Sequence, residues 1–255
     1  MYDADQVLQR IDDHTVIVLA LGGLALVCNY VFFGEAARLA RRDRCVPFLL
    51  LCCAFWFPHD GNYLLDAQLW FDDYDHWFPK LFWVALVFTF TFECVYLSQT
   101  LRYGRREWAP ALTQAQFRLW VVATVALGVV LWKVAKDALE DDLYLAAFMV
   151  TAVWALLSGY RLALRRGSRR GQSPLQWGAY TGMVSSYGAL SIFVFGGSFA
   201  RWPWVAMCVM AVVGGAGLTW WLARAPAWEP APAADQAFTS STGSSYTPRE
   251  YASRT

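Results

Sequence analysis

Seven apolar stretches alternate with short charged segments, and each is close to the roughly 20 residues that a helix needs to cross about 30 Å of hydrocarbon. They run approximately Thr15 to Ala37, Cys45 to Leu65, Trp77 to Leu101, Phe117 to Ala135, Leu143 to Leu164, Pro174 to Gly197 and Trp202 to Ala223. Composition agrees. Only 16% of the residues are charged and 57% are hydrophobic, too little polar material to clothe a soluble domain of this length. The reading is an all-α integral membrane protein, a seven transmembrane helix bundle over residues 1–224. A tail over 225–255, rich in Pro, Ala, Ser and Thr, is expected to be disordered because it has too little apolar content for a core. The first apolar run follows an acidic leader (Asp3, Asp5, Asp12, Asp13) and precedes no small-residue cleavage site, so it reads as the first helix rather than a signal peptide.

Arginine orients the bundle. The segments EAARLARRDR, RYGRREW and YRLALRRGSRRGQS are basic, whereas the N-terminus, the loop from Asp60 to His76 and KDALEDD are mainly acidic. Because Lys and Arg flanking the spans stay on the cytoplasmic side, this alternation predicts an N-terminus outside and a C-terminus in the cytoplasm of a multi-pass protein of the cell membrane. The formal net charge of +1 gives no reason to expect a nucleic-acid partner; the bilayer is the expected one.

Several chemistries are excluded or weakened on residue type. Cys28, Cys45, Cys52, Cys53, Cys94 and Cys208 lie in or at the ends of apolar runs without a CxxC pair, so they read as small packing residues and no metal is expected. A retinal Schiff base needs a lysine in the last span, and Pro203 to Ala223 has none. The cluster Asp72, Asp73, Asp75 has the look of a magnesium-diphosphate site, but acids in an outer loop read more simply as a solvated face. No cofactor is expected.

Four short motifs, taken in order, resemble the small seven-helix transmembrane terpene cyclases of fungal meroterpenoid and indole-diterpene pathways and their bacterial relatives. Asn29-Tyr30 ends an LGG-containing first helix, and Cys52-Cys53 follows at a similar distance. The loop from Tyr103 to Pro110 is similar to the family's G-x-x-E-W-A segment, and Arg166 to Ser173 followed by Trp177 is similar to its R-G-x-S-R-G-x-S-x-x-x-W. The resemblance implies protonation-initiated cyclisation of a prenylated, lipid-soluble substrate. Such chemistry requires a carboxylic acid kept protonated, an apolar cavity and aromatic faces for passing cations.

The chain departs from the family at the acids themselves. The family carries C-C-N-x-x-W-E, whereas this chain reads Cys52-Cys53-Ala54-Phe55-Trp56-Phe57-Pro58-His59-Asp60, with proline in the glutamate's register; Val205 to Leu222 also lacks the second carboxylate. Two alternatives follow for Pro58. It kinks the helix and turns His59 and Asp60 toward a cavity, at its outer rim, or it ends the helix and leaves both in water. Glu93 is the stronger anomaly, an ionisable side chain deep in the third span with Thr89 and Tyr96 on its face. The expected catalytic residues are Glu93, Asp60 and His59; Asn29, Trp56, Tyr96 and Trp83 are expected to contact substrate. Alternatives are a non-catalytic sensor, ligand carrier or partner subunit of the same fold, and a bilayer-buried Glu93 that only ties helices together, for example through Asn29.

Overall fold

The structure is a computed structural model and describes residues 2–228. It is all-α among those residues: α1 (Ala4–Asp13), α2 (Thr15–Asp43), α3 (Leu50–Leu65), α4 (Trp77–Trp108), α5 (Gln114–Leu139), α6 (Leu145–Arg166), α7 (Pro174–Leu190) and α8 (Trp202–Arg224). Five helices, α2, α4, α5, α6 and α8, are long and apolar enough to cross a membrane. Their outward faces carry the side chains expected of a lipid-facing surface, among them Val16, Leu119, Val122, Val134, Met210 and Val213, all more than half exposed.

Two of the seven expected spans therefore fall short, each for a local reason. Pro47 keeps the residues before it out of the α conformation, so Cys45 to Leu49 is irregular and α3 begins only at Leu50, giving 16 residues. α7 has 17 residues; the apolar run continues as a π-helical turn (Ser191–Phe195) and breaks at Gly196 and Gly197, whose φ values of 60° and 56° favour glycine. α1 is an element the apolar runs did not announce. It is amphipathic, buries Val7, Leu8 and Ile11, and donates from Arg10 Nη1 to the Phe195 carbonyl at 2.8 Å. Of the tail expected over 225–255, residues 229–255 lie outside the described residues.

α7 occupies the middle of the bundle, packed along α2 on one side and α8 on the other, while α3 lies between α4 and α5. Small residues set these distances. A Cβ on Gly215 of α8 would come within 2.8 Å of Tyr180 on α7, and one on Gly159 of α6 within 2.0 Å of Trp177. In α3, Pro58 lies inside the helix and has no N–H for the Ala54 carbonyl. α5 closes on that carbonyl through a glycine: a Cβ on Gly128 would sit 2.0 Å from the Ala54 oxygen.

The arginine-rich loops meet at one end. Glu107 Oε1 accepts from Arg166 Nη2 at 2.8 Å and pairs with Arg165 Nη2 at 2.7 Å, and its Oε2 takes the Val46 N–H at 3.1 Å. Arg166 also donates to the carbonyls of Val46 and Arg170, at 2.8 and 2.9 Å. Asp43 Oδ2 accepts the Gly171 N–H at 2.7 Å. Side chains thus satisfy both backbone groups of Val46 in the irregular stretch from Cys45 to Leu49.

Candidate active site

Between α2, α3, α4, α6 and α7 lies a mostly apolar cavity of about 170 Å³, lined by Trp56, Trp77, Phe82, Phe148, Met183 and Tyr187 among others. Asn29 of α2, His59, Asp60, Thr89, Glu93 and Tyr144 supply polar groups to its lining.

Three elements besides α2 supply them. Because α3 continues through Pro58 to Leu65, His59 and Asp60 stay helical and face inward; they are 0% and 4% exposed. Of the two alternatives drawn from the sequence for Pro58, the helix does not end there, and His59 and Asp60 both line the cavity. α4 supplies Thr89 and, one turn on, Glu93, both buried on one face. Tyr144 comes from the turn before α6 and takes a left-handed backbone, φ 65° and ψ 13°. That conformation is sparsely populated for a tyrosine and is held by Asp141, whose carboxylate accepts the N–H groups of Ala146 at 3.2 Å and Ala147 at 2.6 Å and the Tyr2 hydroxyl at 2.6 Å.

Asp60 gathers the donors. Thr89 Oγ1 lies 2.8 Å from its Oδ2, His59 Nδ1 2.8 Å from its Oδ1, and the Tyr144 hydroxyl donates to the same Oδ1 while touching His59 Nδ1. With the tyrosine proton directed at the carboxylate, the pattern assigns the imidazole proton to Nδ1 and leaves Nε2 a bare acceptor; it has no hydrogen-bond partner. The ring is fixed between Trp132 and Tyr144, each 4.1 Å away between centroids. Glu93 lines the same cavity wall as Asp60, and its Oε2 has no partner.

Two of the expected substrate contacts lie elsewhere. The Tyr96 hydroxyl donates to the Phe33 carbonyl at 2.7 Å and its ring packs on Phe48, a turn below the cavity. Trp83 donates from Nε1 to the Leu64 carbonyl at 3.2 Å and packs against Phe71. Asn29 and Trp56 do line the cavity, and no hydrogen bond joins Asn29 to Glu93. Tyr144 was not foreseen, and neither was Asp141 behind it; nothing in EDDLY marks a left-handed turn that aims a phenol inward.

The acidic stretch after α3 divides. Trp70 is fully buried under Tyr63 and Phe82 rather than at an interface. Asp72, Asp73 and Asp75 are exposed, and Lys80 pairs with Asp75, holding that carboxyl below its ordinary range. Among the described residues, no three His, Cys, Asp or Glu side chains gather as metal ligands. At the cavity's end, Asp12 Oδ1 receives Trp77 Nε1 at 2.8 Å and His76 Nε2 at 3.0 Å, and these hydrogen bonds keep Asp12 below the usual carboxylate range.

Comparison of the chain with protein-family models, with curated proteins and with solved structures gives no match in any of the three.

Proposed function

We propose that the protein is an integral-membrane, cofactor-independent acid catalyst that cyclises a prenylated lipophilic substrate, as its resemblance to the transmembrane terpene cyclases implies. The observation that carries this reading is the presence of Glu93 and Asp60 together in the wall of an otherwise apolar, aromatic-lined cavity. Glu93, whose Oε2 has no partner, is the proton donor. Asp60, in contact with Thr89, His59 and Tyr144, is the carboxyl group that orders the wall beside it. The proton passes from Glu93 to an alkene or epoxide of the substrate. The π electrons of successive double bonds then close rings, and a final C–H bond returns its proton to the Glu93 carboxylate, so no proton is consumed. The faces of Trp56, Phe82 and Tyr187 stabilise the intervening cations. The bundle is placed with the acidic end outside, the arginine-rich end in the cytoplasm and all seven long helices inside the bilayer, the two short ones shielded by the others.

The test is Glu93→Gln. The amide matches the neutral acid in size and hydrogen-bonding capacity, so the variant folds, and turnover of polyprenyl substrates to cyclised isomers in membranes falls by about 10² to 10⁴-fold, the range for a lost general acid. Full turnover in the folded variant refutes the assignment. A second reading, a ligand carrier of the same shape, rests on the departure from the family's own acid positions; retention of bound polyprenyl lipid with no product in the unsubstituted protein decides for it.

A further inference from the structure

The cavity has a side opening. α4 is tied to α1 by Asp12 with Trp77 and His76 at the acidic end and, deeper, to α2 by the Tyr30 hydroxyl donating to the Ala85 carbonyl at 3.1 Å. Between these ties no hydrogen bond crosses from α2 to α4, and residues that line the cavity reach the outer surface. Leu19 of α2 and Leu81 of α4 both line the cavity and are each 50% exposed. Gly23 also lines the cavity while exposed, and a Cβ built on it meets nothing within 4 Å. Gly23 lies eight residues beyond Thr15, about 12 Å along α2, which is hydrocarbon depth rather than headgroup depth.

We propose that this gap is a lateral portal through which one end of a long hydrocarbon chain enters the cavity directly from the bilayer. Volume sets the mode of binding. An apolar cavity of about 150 Å³ holds a molecule of benzene's size, so the 170 Å³ here takes roughly one terminal segment of a lipid chain, and the remainder must lie in the gap and in the lipid beyond. What the inserted end meets is the buried, unpartnered Oε2 of Glu93, which is 4% exposed and has no reason to face a passive void. The ligand class is therefore a chain-like lipid with a reactive or hydrogen-bonding terminal unit, not a compact, water-borne molecule. Catalyst and carrier alike would use such a portal, so it rests on the cavity being a lipid-binding site and not on turnover.

The experiment photolabels the protein, reconstituted in phosphatidylcholine vesicles, with a diazirine-bearing geranylgeraniol, and maps the labelled peptides. The unsubstituted protein is expected to be labelled at cavity residues such as Phe82 and Phe148. Gly23→Trp, which fills open space and so spares the fold, lowers that labelling at least about tenfold, as does Leu81→Trp; Val122→Trp, on the lipid face of α5, leaves it unchanged. Cavity labelling undiminished in both portal variants overturns the portal alone. Absence of cavity labelling in the unsubstituted protein overturns the portal together with the lipid-site reading beneath it.

Discussion

Two carboxyl groups, Glu107 at the arginine-rich end and Asp60 beside the cavity, sit in different company. At the arginine-rich end, Glu107 is surrounded by Arg165, Arg166 and the Val46 N–H, so that both its oxygens are engaged and the loops after α2, α4 and α6 are locked together. Around the cavity, Asp60 is equally saturated, but its neighbours Glu93 and His59 each keep one polar atom without a partner. The first is tied to backbone and counter-charge from three segments, which makes a clamp. The second stands in the wall of an apolar cavity, where the neighbouring unpartnered atoms face a space large enough for a ligand. Glu107 and Arg166, from the two motifs that carry the resemblance, belong to the clamp, whereas the run from Pro58 to Asp60, which departs from it, leads into the cavity wall.

Substitutions at the two places put this contrast at risk. Arg166→Ala leaves Glu107 with Arg165 as its one counter-charge and removes the donor from the Val46 and Arg170 carbonyls. Breaking a buried pair costs about 3–5 kcal/mol, so this variant is expected to lose most of its folded yield in detergent, and a melting temperature close to the unsubstituted protein would show that the clamp is decorative. Asp60→Asn turns an acceptor into a donor facing Thr89, Tyr144 or His59. It should cost about 1–3 kcal/mol and most of the turnover, while the exposed Asp73→Asn stays within about 0.5 kcal/mol. Equal behaviour of the two would return the acidic stretch to the status of a solvated loop.

The smallest effect is expected at Asp12. Its carboxyl is depressed in the folded protein by Trp77 and His76, so the contribution is present above the unfolded value, near 3.9, and is lost as pH falls through the lower folded value. A spin label on the exposed Gln9→Cys position of α1 should keep its mobility from pH 7 to 5 and loosen only below about 4. In Asp12→Asn that acid transition should vanish; its persistence would mean that another group ties α1 to α4.

The legible parts of the fold were those written in long apolar periods and in charge. Helices were foreseen because an apolar run declares itself, and the two ends because arginines and acids segregate. Where local chemistry interrupts a run, hydropathy is blind: Pro47 and Gly196 shorten α3 and α7 without making their sequences less apolar. At the site, Glu93 was visible as a charge out of place, and Thr89 as its neighbour on the same face. Tyr144 was not, because its direction depends on a backbone conformation set by Asp141, three residues before it, through the N–H groups of Ala146 and Ala147. Tyr96 and Trp83 show the limit of reasoning from a helix face alone, since each is held by a carbonyl of another segment.

Pro58 and Gly128 together amount to a gauge. A residue with an N–H at 58 would reclaim the Ala54 carbonyl for α3, and any side chain at 128 would prise α5 outward; Trp132, one turn beyond Gly128 on α5, would move with it. The imidazole of His59 rests on that indole, so the separation of two helices is transmitted to the tilt of a ring and from there to Asp60. The polar wall at the centre of the bundle is in this sense set from its flank, by a pair of residues outside the cavity lining.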